Sequence, residues 1–199
     1  MKGQTQIVSV LIIILITITA TATVVPWTYN MIEKKKDLKS VDDVYNFFQT
    51  LDTSIKNIAQ NGGEESLSLK VPGKLEIFPD SASHELNNSI VFTTESKVSF
   101  IAEGEEIPLN TPNTNTTAML GIDPPSVIFG KADQSGDKIT IWHRLWYRTL
   151  NDTNGNLYKI VLNTSNDDIL STTTGFLRIQ RIGSVTGEPL TITKINIIV

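Results

Sequence analysis

The hydrophobic pattern divides the first 60 residues into two segments, of which the first is apolar throughout. Residues 7–25 form a run of 19 residues without a charged side chain, and twelve of them are isoleucine, leucine or valine. As a helix this run is about 28 Å long, which matches the hydrocarbon core of a bilayer. We therefore predict a membrane helix over residues 7–25, with apolar positions that include Ile7, Leu11, Ile14, Ile18 and Val25.

The second segment, residues 31–59, has apolar residues on one helical face only. They recur at spacings of three and four: Val41, Val44, Tyr45, Phe48, Leu51, Ile55 and Ile58. Asn61, Gly62 and Gly63 follow and supply residues that tolerate positive φ at a helix C-terminus. We predict one long helix over residues 4–60, about 85 Å in length and bent near Pro26.

Short strand-like runs separated by turn-rich sequence fill residues 64–199. The nine predicted strands are 66–71, 74–78, 89–94, 97–102, 126–129, 138–150, 157–163, 176–182 and 190–199. Three turn-rich segments, 71–74, 133–137 and 154–156, predict hairpins and hence antiparallel neighbours. The predicted fold class is α+β, a long N-terminal helix followed by an antiparallel β-sandwich head of jelly-roll type over residues 64–199.

Charge and cysteine content exclude several classes of function. The formal net charge is −4, so the chain has no excess of basic side chains to neutralise the phosphates of a nucleic acid. The absence of cysteine excludes a disulfide framework, thiolate metal sites and a cysteine nucleophile. We expect a protein that does not bind nucleic acid.

Candidate catalytic residues are few. His84 lies in a serine-rich polar segment and His143 in the middle of a predicted strand, and neither has a carboxylate at a helical ligand spacing. The sequence contains no phosphate-binding glycine loop, nucleophile elbow or zinc-protease motif. The expectation is a protein that is not an enzyme and that holds no metal and no cofactor.

The strand over residues 138–150 carries the one unusual pattern of side chains. Trp142, Arg144, Trp146 and Arg148 are predicted to share one face of the strand, and Ile141, His143, Leu145 and Tyr147 the other. Such a row either covers the sheet as a ladder of arginines over tryptophan rings or presents flat aromatic surfaces to a sugar or a partner protein. Both interpretations remain open from the sequence.

Four Asn-x-Ser/Thr sequons lie in predicted loops or strand edges, at Asn87, Asn115, Asn151 and Asn163. They are candidate glycosylation sites if the head lies outside the cell. Their number is close to what chance predicts from the abundance of asparagine, serine and threonine, so it does not by itself indicate a compartment.

The apolar segment at the N-terminus has two general interpretations. It is a cleaved secretory signal if Ala20, Thr21 and Ala22 form the cleavage site, or it is an uncleaved signal anchor. Lysines at positions 34–36 and 39 outnumber Lys2, but they stand among acidic residues, so charge alone does not determine the orientation. Trp27 and Tyr29 are typical of an aromatic belt at the membrane interface under either interpretation.

Lys2, Gly3 and Gln4, set directly against the apolar run, give a third interpretation. This arrangement resembles the class III signal peptide of archaeal type IV pilin-like proteins. The resemblance implies cleavage by a prepilin peptidase between Gly3 and Gln4, a leader of residues 1–3 and a mature chain that keeps its membrane helix. Gln6 and Val8 stand where many members have a small residue and a glutamate.

The same resemblance implies a subunit or accessory component of a surface filament, with membrane lipid and other pilin-like subunits as partners in a homo- or hetero-oligomer. The head would then be extracellular, at the cell membrane or on a filament. The alternative is a monomeric membrane-anchored binding domain that recognises a surface glycan or an S-layer protein. The resemblance covers about 25 of the 199 residues, so both remain expectations.

Overall fold

The computed structural model describes residues 2–165, 168–173 and 175–199, and for residues 2–8 it describes only the helical backbone. A single helix, α1 (Lys2–Asn61), continues without a break through Pro26. It ends at the predicted glycines, where the Gly62 N–H donates to the Ile58 carbonyl at 2.8 Å and φ of Gly62 and Gly63 is 77° and 93°. The predicted extent of the long helix is confirmed.

The two halves of α1 have different surroundings. Side chains over residues 9–32 are exposed on every face of the helix. From Val41 onward one face is buried, and the fully or almost fully buried residues are Val41, Val44, Phe48, Leu51, Ile55 and Ile58. The apolar stripe predicted from the spacing is therefore the face that packs on the head, with Tyr45 only partly buried beside it.

Twelve strands follow the helix in the described part of the chain, three more than predicted. They are β1 (Glu64–Leu69), β2 (Lys74–Phe78), β3 (Ser89–Ser96), β4 (Ile107–Pro108), β5 (Thr117–Met119), β6 (Ser126–Ser135), β7 (Lys138–Tyr147), β8 (Thr149–Asn151), β9 (Leu157–Thr164), β10 (Leu170–Thr172), β11 (Gly175–Gly187) and β12 (Leu190–Ile198). Sheet I has the order β1-β11-β12-β9-β8-β5, and sheet II has the order β10-β2-β3-β7-β6-β4. The α+β class is confirmed.

Strand pairing is mostly antiparallel, with two parallel exceptions. β12 pairs with β9 in parallel from Leu190↔Leu157 to Ile197↔Thr164, and the short strand β5 pairs in parallel with β8. The chain leaves sheet I after β9, contributes β10 to sheet II and returns as β11. The closing hairpin β11–β12 therefore places its second strand parallel to β9, which corrects the expectation of a purely antiparallel head.

Two of the three predicted hairpins are present. Residues 133–137 lie in the β6–β7 hairpin, and residues 154–156 connect the antiparallel strands β8 and β9. The prediction for residues 71–74 is wrong, because β1 pairs with β11 in sheet I whereas β2 pairs with β3 in sheet II. The chain crosses between the sheets here, and a Cβ on Gly73 would lie 2.4 Å from the Phe92 ring, so the crossing requires glycine.

The predicted strand over residues 97–102 is also absent. The Ser96 hydroxyl accepts a hydrogen bond from the Val98 N–H and donates one to the Val98 carbonyl. The Ser99 hydroxyl makes the same two bonds with Ile101. Such local bonds compete with strand pairing, and here they fold the segment into turns. Its apolar residue Ile101 packs against Val41 of the helix.

One hydrophobic core joins α1 to both sheets. The helix stripe packs against buried residues of sheet II, among them Ile77, Ile90, Phe92 and Leu145, and of sheet I, among them Leu177, Ile179, Ile195 and Ile197. Full burial of each such side chain contributes roughly 1.5–3 kcal/mol. The second half of α1, from Val41 to Asn61, is therefore part of the core of the head.

Two buried polar side chains, Asn88 and Asp52, fix the positions of the two sheets and the helix relative to one another. Asn88, at φ 55°, donates to the carbonyls of Tyr147 and Ile160, both at 2.9 Å, and accepts from the Leu162 N–H at 2.8 Å, so it connects the two sheets. The Tyr147 hydroxyl donates to Asp52 Oδ1 at 2.9 Å, and Lys56 Nζ lies 2.5 Å from Oδ2 of the same carboxylate. Burial and then the Asp52 carboxylate raise the pKa of Tyr147 well above its ordinary value.

Candidate functional site

The exposed half of α1, residues 9–32, is the first candidate for a functional surface. It is long and apolar enough to cross a membrane, and none of its most apolar stretch is buried against the head. Leu11, Ile14, Ile18 and Val25 are all exposed, which positions that face lipid require. Only the helical backbone is described for Gly3, Gln4 and Ile7, so the predicted processing point and the first predicted membrane position stay predictions.

The threonines of this segment are compatible with an apolar surrounding. Each hydroxyl donates to the carbonyl four residues earlier at 2.5–2.9 Å, in Thr17, Thr19, Thr21, Thr23 and Thr28. A hydroxyl that bonds to its own helix backbone leaves no donor unsatisfied in lipid. Beyond them, Trp27 and Tyr29 are 66% and 71% exposed, as an interfacial position requires.

The second candidate is the outer side of sheet II. Trp142, Arg144 and Trp146 of β7 point to this side, and Phe129 and Lys131 of the neighbouring strand β6 stand directly beside them in register. We call these five residues the aromatic face. The Phe129 and Trp146 ring centroids are 6.4 Å apart, and Phe129 is buried beneath its neighbours while Trp146 is half-buried.

Cations of the aromatic face stack on rings of the adjacent strand. Lys131 Nζ lies 5.4 Å from the Trp142 ring centroid, and the Arg144 guanidinium lies 4.5 Å from the Phe129 centroid. Arg144 is also held by two hydrogen bonds to the Glu106 carboxylate, one of them from Nε to Oε1 at 3.0 Å. The ladder of arginines over tryptophans within one strand, one of the two interpretations of the sequence, is thus replaced by contacts across two strands.

Arg148 is not part of this face, which corrects the prediction that it shares a surface with the two tryptophans. It is 1% exposed and follows the end of β7, where its backbone N–H donates to the Pro125 carbonyl. Its guanidinium donates to the carbonyls of Pro124, Asn113 and Asn115. Arg148 therefore holds the segments before and after β5 against the head, and burial lowers the pKa of its guanidinium.

A shallow cavity of about 180 Å³ opens on the aromatic face. Its walls include Trp142, the Lys131 ammonium and the Arg144–Glu106 pair. A flat ring beside fixed charged groups is suited to a ligand with both apolar CH surface and hydroxyl groups, such as a sugar ring. The arrangement offers contact surface and hydrogen bonds.

The two histidines occupy different environments. His84 is exposed, accepts the Leu86 N–H at Nδ1 and lies 4.9 Å from the Phe78 ring. His143 is fully buried on the inner side of sheet II, with its ring 6.0 Å from that of Phe48. Within the described residues neither ring nitrogen of His143 has a hydrogen-bond partner, and burial lowers its pKa to about 4.

No group of three or more histidine, aspartate or glutamate side chains that could hold a metal ion occurs in the described ranges. The acidic turn at Asp152 instead satisfies itself. Its carboxylate accepts the backbone N–H groups of Asn154 and Asn156, both at 2.8 Å, and the Asn156 amide at 2.9 Å. These hydrogen bonds are those of an ordinary turn.

The four sequons fall into two pairs. Asn87 and Asn115 lie in loops and are exposed, so their amides are open to a modifying enzyme. Asn151 and Asn163 are half-buried within strands β8 and β9. The structure thus favours the first two as candidate glycosylation sites.

Comparisons of this chain with protein-family models, with curated proteins and with solved structures find no match. The function is therefore argued from the two candidate surfaces themselves.

Proposed function

We propose that the protein is a pilin-like surface protein, a subunit or accessory component of an archaeal type IV pilus-like filament that assembles through its N-terminal helix. The observation that carries the proposal is the division of α1 into an exposed apolar half and a half that is part of the core of the head. A subunit of this kind needs both halves in one helix, because the first must pack against lipid or neighbouring subunits while the second holds the head.

The proposed sequence of events begins in the membrane. A prepilin peptidase hydrolyses the peptide bond after Gly3, the helix stays in the bilayer, and the head lies outside the cell. Assembly then exchanges lipid contacts for contacts between the exposed apolar faces of neighbouring helices. In this proposal the head is a jelly-roll-like β-sandwich, an assignment supported by the two six-stranded sheets that share one core with the helix.

The N-terminal mass of the protein isolated from its native membrane tests this proposal. We expect a mature chain that starts at Gln4, and we expect Gly3→Leu to retain Met1 and to disappear from the fraction released by shearing cells. Gln6→Asn, a change just beyond the cleaved bond, is the control and should be processed normally. An unprocessed wild-type chain would leave a plain anchor, and a start near Thr23 would indicate a secreted protein.

A second candidate function, a membrane-anchored binding domain, is favoured by the aromatic face. In this proposal Trp142 and Trp146 contact the ring of a surface glycan while Arg144 and Lys131 bond to its hydroxyl or acidic groups. Such a domain would act as a monomer and needs no cleavage at Gly3. An envelope protein is the other ligand that the same surface could take.

Glycan binding is measurable with the full chain in detergent on an array of oligosaccharides. If the aromatic face binds sugar, Trp142→Ala should weaken the strongest signal by about ten-fold or more, because stacking and exclusion of water are lost together. Trp27→Ala removes an exposed tryptophan from the helix and serves as the matched control. Equal signals from the wild type and Trp142→Ala would count against this function.

A further inference from the structure

A groove of about 540 Å³ lies between α1 and the segment that connects β1 to β2. Three lysines line it, Lys36 and Lys39 from the helix and Lys70 from the connecting segment. Ligand sites of small molecules and cofactors have volumes of this order. The groove is separate from the aromatic face and from the apolar half of the helix.

The charge of the groove is positive. Asp43 is the one acidic residue among its lining residues, and the three lysines form no ion pair within the described part of the chain. Three other acidic residues of this part of the helix have contacts outside the groove lysines: Lys97 Nζ lies 2.8 Å from Glu33 Oε2, the Lys97 N–H donates to Asp37 Oδ2 at 3.0 Å, and Asn46 Nδ2 donates to Asp42 Oδ2 at 3.3 Å. A chain with net charge −4 therefore has a concentrated cationic site here.

The groove also lies where the helix leaves the membrane. The segment without charged side chains extends from residue 3 to residue 32 and is about 45 Å long as a helix, which equals a bilayer with its headgroup layers. Lys36 follows Ile32 by about 6 Å along the helix axis. A lysine side chain at that position extends back to the headgroup layer, as lysines near the ends of membrane helices do.

We propose that this groove binds the anionic headgroup of a membrane lipid. The lysines pair with the phosphate, and the neutral polar side chains of Ser40, Asn46 and Ser68 line the path along which a hydroxylated headgroup extends away from the bilayer. Lysines from two separate elements converge on one groove, which distinguishes this site from general attraction between basic residues and an acidic membrane surface. The inference depends on the membrane insertion of α1 in the proposed function, but not on cleavage or filament assembly.

The test uses the full chain in detergent micelles, with lipid adducts counted by native mass spectrometry. Phosphatidylglycerol is the anionic probe and phosphatidylcholine the zwitterionic one. We expect one phosphatidylglycerol per chain, retained about ten-fold more tightly than phosphatidylcholine. Lys36→Gln/Lys70→Gln should remove that preference, whereas Lys34→Gln/Lys35→Gln removes the same total charge from residues outside the groove and should keep it.

Four results would overturn the inference. They are equal retention of the two lipids, an equal loss in both double variants, displacement of phosphatidylglycerol by millimolar inorganic phosphate, and failure of the chain to enter micelles or vesicles. The third would assign the groove to a free anion, and the fourth would also contradict membrane insertion. An unchanged thermal midpoint of the variants shows that the head is folded, since all four lysines are at the surface.

Discussion

Phe48→Ala is expected to lower the free energy of unfolding of the head by about 3–5 kcal/mol. Phe48 is fully buried and belongs to the helix stripe that packs against both sheets, so truncation removes apolar contacts and leaves a cavity between α1 and the sheets. The ring centroids of Phe47 and His143 lie 6.1 Å and 6.0 Å from that of Phe48. Phe47 is held on α1 and His143 on β7, which restricts their movement into this space.

Urea unfolding of the full chain in detergent measures this effect. Fluorescence of Trp142 and Trp146 reports on the head, with Trp27 replaced by phenylalanine in all samples so that the helix does not contribute. Phe47→Ala is the matched control, because Phe47 is only partly buried and should cost about half as much or less. Equal losses in the two variants would show that the helix stripe does not contribute to the core as described.

This coupling of the helix to the core has a consequence for function. The Tyr147–Asp52 hydrogen bond and the apolar stripe fix the second half of α1 to both sheets, so the head cannot rotate freely about the exposed half of this helix. A load on the head is therefore transmitted to the exposed half of α1 through a buried interface. A filament subunit and an adhesive anchor would both benefit from that rigidity.

The helix was predictable because its signals are local. These signals are a run without charged side chains, an apolar stripe with spacings of three and four, and two glycines at the end, and all depend on neighbouring residues. In the structure they correspond to the exposed half of α1, its buried face and its C-terminus. The pairing at residues 71–74 was not predictable in the same way. A Pro-Gly turn gives the same local signal for a hairpin and for a crossing between sheets, and the difference depends on the remote strand β11.

The candidate sites show the same division between local and remote information. Alternation along β7 correctly placed Trp142, Arg144 and Trp146 on one face, but it failed at Arg148 because β7 ends at Tyr147. The strands β4, β5 and β10 are two or three residues long, which is too short for a periodic pattern. No sequence signal indicated that Asn88 and Asp52 join separate parts of the fold, since the Tyr147 groups that they contact lie 59 or more residues away.

The buried histidine gives the head a dependence on acidity that the sequence did not predict. The pKa of His143 is about 4 in the folded protein and near its ordinary value of 6.5 in the unfolded chain, and burial is the cause. Between these values the unfolded state binds more protons than the native state, so the stability of the head falls as the pH falls from 6.5 to 4. The total loss is about 3 kcal/mol.

Other shifted groups act outside this window. Hydrogen bonds, first that from the Asn156 side chain, lower the pKa of Asp152 below its ordinary value of 3.8, so its contribution is lost only at more acidic pH. The contact between Lys97 and Glu33 raises the pKa of Lys97 above its ordinary value of 10.5, so the contribution of this ion pair to stability is lost only in alkaline solution. Urea midpoints between pH 4.5 and pH 7 therefore isolate His143.

His143→Leu is expected to remove most of this slope and to leave the stability at pH 7 equal or higher. The leucine has no polar atoms, whereas within the described residues both ring nitrogens of His143 lack partners, and an apolar group of similar volume avoids that desolvation cost. His84→Leu removes the exposed histidine and should keep the slope. A slope that persists in His143→Leu would mean that another group takes up the proton, and the buried position of His143 would then have no measurable effect on acid stability.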